Sequence, residues 1–398
     1  MPKEMVKGNF ATAVAAKLAR AEVVPAYPIT PSTLFPEQIS EFVANGEMET
    51  QFVPVESEHS AMSACIGASA AGARTCTATS SQGLALMHEV LFIASGMRLP
   101  IVMAVANRAL SAPINIWGDH SDTMAERDAG WIHFYAERNQ EALDLMLIGF
   151  KVAEDKRVLL PAMVGLDAFV LTHTIEPVDI PEQTEVDLFL PRYSSPYCTL
   201  DPAHPMTIGS FATPEHYMEF KLAQERAISR ASLVIDEVLR DFEKRFGRRY
   251  QKVSGYRTDD AEIILLTIGS MTGTARVAVE ELRAQGNKVG AAKLTVYRPF
   301  PHMELHEILR RAKAVAVVER AYSYGCAGPL YSDLGGAFCN MEKRPLLLNY
   351  VIGLGGRDIV VEDFKRIYAD ASAKLASGKP QRLIEWIDVD HAAVEEVE

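Results

Sequence analysis

Residues 54–87, PVESEHSAMSACIGASAAGARTCTATSSQGLALM, constrain the fold more than any other stretch of the chain. A short strand ends there in two acids, Glu56 and Glu58, and runs into a helix in which eleven of the fourteen residues over 60–73 are Ala, Ser or Gly. Side chains this small let another body approach closely. A second strand, over 75–79, turns through Ser80, Ser81, Gln82 and Gly83 into a further helix, so two strand-to-helix corners stand roughly twenty residues apart. If both strands lie in one parallel sheet, the corners share its carboxyl edge, where ligands of open α/β sheets bind.

The surrounding pattern predicts such a sheet. Strands are expected over 23–26, 51–55, 74–79, 100–106 and 158–165, alternating with helices over 9–21, 32–45, 58–71, 83–95 and 140–154. This alternation indicates a doubly wound α/β domain, a parallel sheet covered on both faces, over residues 1–170. Between 106 and 131 the pattern breaks into an irregular segment whose length marks it as functional or partner-facing. Residues 171–259 read as a proline-rich extended arm or linker followed by a long helix over 215–246 with mixed charges. Residues 260–398 form a second α/β domain, with strands expected over 262–267, 289–294, 314–318 and 346–351.

A net charge of −12 argues against a general nucleic-acid or anionic-membrane binder, because phosphate contacts require concentrated Lys and Arg. The basic cluster KRFGRR at 244–249 reads as a solvated helix end. Cys65, Cys76, Cys198, Cys326 and Cys339 form no C-x-x-C pair, which suggests buried small hydrophobes and no iron–sulfur or zinc ligand set. The N-terminus lacks a charged-then-apolar leader and no run of eighteen apolar residues occurs, so a cytoplasmic enzyme or subunit is the expectation.

The candidate chemistry gathers at strand ends. Glu58, taken by residue type alone, is a carboxylate favoured by a helix dipole, an effect worth about 0.3–1 kcal/mol. At the carboxyl end of a strand, beside a helix of small residues, it is also one that a flat cofactor can reach. In residues 27–33, YPITPST, Pro28 and Pro31 form a stiff loop that fixes the direction of Thr30. Arg108 closes the strand at 100–106 and is suited to binding a carboxylate, against the alternative of a structural ion pair. No Walker-type glycine-lysine loop is present, and the nearest dinucleotide-like match, Gly353 to Gly356, is weak and late. Residues 269–273, GSMTG, either offer N–H groups to an anion or make a tight turn into a helix.

Six stretches taken together, YPITPST at 27–33, PVESEHSA at 54–61, TATSSQGLALMHE at 77–89, NRALSAPINIWGDHSD at 107–122, KLTVYRPFP at 293–301 and IGLGGRD at 352–358, resemble the 2-oxoacid:ferredoxin oxidoreductases, and among them the alpha subunits of the pyruvate enzymes. The resemblance spans nearly the whole chain. It implies a thiamine-diphosphate-binding, pyrimidine-type domain followed by a transketolase C-terminal-like domain. It also implies a cofactor shared with a beta subunit that holds Mg2+ and the diphosphate, since this sequence lacks the Gly-Asp-Gly…Asn pattern. [4Fe-4S] clusters would lie in partner chains, with beta, gamma and delta subunits, ferredoxin, pyruvate and coenzyme A as partners. By position, Glu58 resembles the acid that bonds the aminopyrimidine ring nitrogen, favouring the tautomer able to take the C2 proton. Pro28, Ile29 and Gln82 fall where the cofactor is lined, and Thr30 and Arg108 where the substrate carboxylate is bound. The implied reaction is the oxidative decarboxylation of pyruvate to acetyl-CoA and CO2. Two alternatives are the same chemistry on a branched-chain 2-oxoacid, with Ile114 and Trp117 in the pocket wall, and a non-catalytic scaffold.

Overall fold

The structure is a computed structural model and describes residues 3–197, 200–378 and 384–395. The first half contains strands β1 (Lys3–Lys7), β2 (Val23–Ala26), β3 (Gln51–Pro54), β4 (Cys76–Thr79), β5 (Val102–Asn107), β6 (Ile132–Tyr135), β7 (Ala162–Asp167) and β8 (Ile175–Asp179). β4, β5, β7 and β6 lie side by side and parallel, and β2 and β3 form a parallel pair. β2 also lies along β4: Glu22 and Val23 donate their N–H groups to Arg74 O, and Val23 bridges Thr75. Pro25 then interrupts the ladder because it has no N–H to give. The Thr77 hydroxyl, 2.7 Å from Pro25 O, donates to that carbonyl instead.

The sheet therefore runs β3-β2-β4-β5-β7-β6, and the residues after each strand share one edge. The central strands are buried on both faces, which is why β5 and β7 read as largely apolar runs without alternation, while β4 buries Thr77 and Thr79 as well. β6, Ile-His-Phe-Tyr, is buried throughout but only four residues long, and it is not among the expected strands. The helix expected over 83–95 is two, Ser81–Leu86 and His88–Gly96.

The segment expected as arm or linker carries more structure than its prolines suggest. β8 pairs antiparallel with β1, and a helix, Gln183–Phe189, follows. The long helix Pro214–Phe246 buries Ala227, Ala231, Val234, Ile235, Val238 and Phe242 in the same core as the first sheet, and ends on Gly247 in the left-handed conformation. Arg248 corrects the reading of its basic end: the guanidinium forks onto the buried Asp144 carboxylate at 2.6 and 2.8 Å, so it is an internal ion pair and not a solvated charge.

The second half contains β9 (Val253–Tyr256), β10 (Ile263–Ile268), β11 (Val289–Leu294), β12 (Val296–Arg298), β13 (Ala314–Glu319), β14 (Leu346–Val351) and β15 (Ile384–Trp386). Its sheet runs β15-β14-β13-β10-β11-β9, parallel except for β9. β12 leaves this sheet and pairs antiparallel with β6, extending the first one.

The carboxyl ends of the two sheets meet. Asp167, at the end of β7, lies 2.5 Å from His120 Nε2 and 3.3 Å from Arg320 Nη1, and accepts the Ser270 N–H at 2.7 Å. Burial opposes its charge, but His120, Arg320 and Ser270 hold the Asp167 carboxyl below the usual range. Both readings of residues 269–273 thus have a share: Gly269 turns the chain at φ +73°, and the anion at the corner is the protein's own Asp167. Cys65 and Cys76 are buried as expected. Cys326 and Cys339 are exposed, since they lie in the turn before the helix Pro329–Phe338 and at its end; Cys198 lies outside the described residues. No described helix is long and apolar enough to cross a membrane.

Candidate active site

Glu58 is the first residue of the helix Glu58–Ala70 and is buried. Ser57 starts that helix, its hydroxyl accepting the Ser60 N–H at 3.2 Å, and this cap fixes where the next side chain emerges. Glu56 is exposed and bonded by the Ser60 hydroxyl, which lowers its carboxyl from the ordinary value. The two acids therefore do different things, Glu56 serving the helix start while Glu58 faces inward.

Glu58 meets the second corner at Gly83. A Cβ on Gly83 would stand 2.5 Å from Thr79 Oγ1, 2.6 Å from Glu58 Oε1 and 2.7 Å from Glu58 Cγ, so only glycine admits the carboxylate there. Glu58 makes no hydrogen bond to the described residues. Thr79 Oγ1 and Gln82 Nε2 are buried without a partner among them. Leaving a buried polar atom unpaired costs about 1–3 kcal/mol, and here the Glu58 carboxylate and the unpaired Thr79 hydroxyl meet at Gly83, with the unpaired amide on the residue before it. An acceptor, a donor and a group that can be either suit an aminopyrimidine, a flat ring that both donates and accepts. These residues fit thiamine diphosphate at its pyrimidine end.

Thr30 and Arg108 form the second pair. The loop 27–33 is pinned by Asn9 Nδ2 donating to Pro31 O at 2.6 Å and by Ser32 N–H donating to Ile29 O at 2.8 Å. Pro28 and Thr30 are exposed and Ile29 is half-buried. Arg108 Nη1 donates to Thr30 O at 2.9 Å and Nε to Asn115 O at 2.8 Å. Arg108 is not an internal ion pair; both partners are carbonyls. Burial pushes its guanidinium below the ordinary value.

Asp122, which the sequence reading did not single out, joins the two pairs. Its buried Oδ2 accepts the N–H of Ser81 and the N–H of Arg108, each at 3.0 Å, and its Oδ1 accepts from Asn107 Nδ2 at 2.9 Å and Thr123 N–H at 2.7 Å. Burial raises this carboxyl to about 6 against the pull of those donors. No periodicity or spacing separates Asp122 from its neighbour Asp119, so its role becomes visible only when the corners are in place. The structure brings Glu58 against Gly83, the residue after Gln82, and Thr30 and Arg108 to one hydrogen bond. Pro28 and Ile29 stay in the loop leading to Thr30.

Residues 14–240 match the family described as pyruvate flavodoxin/ferredoxin oxidoreductase, thiamine diP-bdg, and residues 261–364 match pyruvate:ferredoxin oxidoreductase core domain II. Over 97% of both chains, the sequence is 56% identical to pyruvate synthase subunit PorA of Pyrococcus furiosus. It is 50% identical to ketoisovalerate oxidoreductase subunit VorA of Pyrococcus abyssi, over 96% of this chain and 97% of that one. The fold resembles a solved 2-oxoglutarate:ferredoxin oxidoreductase from Magnetococcus marinus with a TM-score of 0.72 at 20% identity, covering 92% of this chain and 65% of that chain. A split gene transketolase is more distant, at a TM-score of 0.55. With a matched span covering more than half of the sequence and including Thr30, Glu58, Gln82 and Arg108, this chain belongs to the pyruvate flavodoxin/ferredoxin oxidoreductase family and carries its thiamine diphosphate-binding domain.

Proposed function

We propose that this chain is the alpha subunit of a cytoplasmic, multi-subunit pyruvate:ferredoxin oxidoreductase, which converts pyruvate and coenzyme A to acetyl-CoA and CO2 and passes electrons to ferredoxin. The observation that carries the reading is the Glu58 carboxylate, set against Gly83 without a hydrogen-bond partner among the described residues, in a chain 56% identical to a pyruvate synthase subunit. Thiamine diphosphate, when bound, supplies the electron sink for decarboxylation of a 2-oxoacid. Glu58 accepts a hydrogen bond from its pyrimidine end and holds a proton there. Gln82 and Thr79 orient the ring, the loop carrying Pro28 and Ile29 borders it, and Arg108 with Thr30 receives the substrate carboxylate.

In this reading residues 1–170 form the pyrimidine-binding domain, 171–259 the arm and long helix, and 260–398 the transketolase C-terminal-like domain. The diphosphate with its Mg2+, and the [4Fe-4S] clusters, belong to beta, gamma and delta subunits. Glu58→Gln in the reassembled complex tests the scaffold alternative: general acid–base groups contribute roughly 10²–10⁴-fold, and undiminished turnover would show that the chain only docks partners. The similarity to a ketoisovalerate oxidoreductase subunit keeps a second substrate in view. Turnover of pyruvate against 2-oxoisovalerate by the same complex decides between them, and preference for the branched acid would overturn the pyruvate assignment.

A further inference from the structure

The glycine-rich stretch 352–358, IGLGGRD, is no phosphate loop, because its turn is filled by another part of the chain. Gly355 sits at φ +59° and Gly356 at φ +81°, and a Cβ on Gly355 would come 2.6 Å from Asn115 Nδ2. A Cβ on Gly356 would run into Trp117 Cβ. Asn115 Nδ2 donates to Gly355 O at 3.0 Å, Gly356 N–H donates to Gly118 O at 2.8 Å, and Gly355 N–H donates to Asp119 Oδ2 at 3.1 Å. The second half of the chain thus grips the irregular loop 107–122 of the first.

That grip ends on the arginine. Asn115 Oδ1 accepts the Trp117 N–H at 2.7 Å, which folds the loop back, and the Asn115 carbonyl accepts Arg108 Nε at 2.8 Å. With Thr30 O on Nη1, two carbonyls hold the guanidinium. Nη2 has no hydrogen-bond partner among the described residues and, with the second proton of Nη1, is left for a carboxylate. We propose that Asn115 is the positioning residue for the substrate carboxylate: anchored by the Gly353–Gly356 turn, it fixes the direction in which Arg108 presents its free N–H groups. This rests on the reading of Arg108 as the carboxylate-binding group.

The test is a double-mutant cycle in the reassembled complex, with KM and kcat for pyruvate measured for the parent, N115D, R108A and the double variant. N115D is isosteric; it keeps the acceptor for Trp117 N–H and loses the donor to Gly355 O. The expected result is a KM raised roughly tenfold with kcat within about twofold, and no further rise when N115D is added to R108A. An unchanged KM in N115D, or the same factor in both backgrounds, overturns the inference while leaving Arg108 in place. An unchanged KM in R108A instead overturns the substrate role of Arg108, and the inference with it. A loop that merely stabilised the fold would lower kcat and the thermal midpoint together, without the split between KM and kcat.

Discussion

Replacing Gly83 by alanine sets two effects of known size against each other. Gly83 lies in the helix Ser81–Leu86, where alanine is favoured over glycine by about 0.8–1 kcal/mol. The added methyl, however, would stand 2.5–2.7 Å from Thr79 Oγ1 and from two atoms of Glu58, where ordinary contact needs 3.4–4 Å. Thr79 is β-branched and fully buried in β4, so it does not yield. Glu58 therefore has to move by roughly 1 Å. Overpacking of this kind costs about 1–3 kcal/mol, which exceeds the helical gain, and a displacement of about 1 Å at a reacting group costs about 10²-fold in rate. Gly83→Ala is expected to lower the kcat for coenzyme A-dependent reduction of ferredoxin by pyruvate about a hundredfold. The KM for pyruvate should stay close to that of the parent, since Arg108 and Thr30 do not touch Gly83. A folded Gly83→Ala complex with kcat within threefold of the parent would refute both the proton-transfer role of Glu58 and the argument for glycine at its contact.

Two further substitutions test buried acids. Burial raises the Asp122 carboxyl to about 6, and a proton there turns one of the four acceptor positions that Ser81, Arg108, Asn107 and Thr123 use into a donor, so kcat/KM for pyruvate should fall about tenfold per pH unit below that point; Asp122→Asn should lose this acid limb and lower kcat/KM at pH 7, and an unchanged profile between pH 5 and 8 would count against the coupling of the two corners. Glu319 is buried and raised by that burial to about 8, while accepting from Leu330 and Tyr331 N–H and Asn349 Nδ2. Its folded value lies above the unfolded one, so the folded state binds the extra proton between about pH 4.5 and 8 and loses stability as pH rises through that window. Glu319→Gln should flatten this fall, read as a denaturation midpoint that changes less between pH 6 and 8 than in the parent; an equal slope would remove Glu319 as its source.

The doubly wound sheet and the shared edge of its corners were legible because both follow from local pattern: apolar runs at strand length, helical spacing between them, and proline and glycine at the turns. Glu58, Thr30 and Arg108 stand at strand ends, and a parallel sheet places all its strand ends on one side. What remained hidden depends on partners distant in sequence. Asp122 matters through Ser81 and Arg108, and Asn115 through Gly355, a residue 240 positions away. β1 and β8 form only when both are present, and four-residue β6 is short and buries His133 on a covered face, so neither an apolar run nor a long alternation marks it. Arg248 looked like part of a basic surface cluster because its partner, Asp144, lies on a helix a hundred residues earlier.

The pairing of β12 with β6 bears on how the chain can be made. Strand β6 borders the first sheet, and its outer hydrogen-bonding groups are satisfied by residues 296–298, which leave the ribosome long after the sheet they complete. Until then a nascent or truncated first half presents an open strand edge, the kind of surface that recruits other chains. The first half is therefore no freestanding module. Expressed alone, a fragment ending before residue 296 is expected to aggregate, and supplying residues 250–398 as a separate chain should restore solubility by closing that edge.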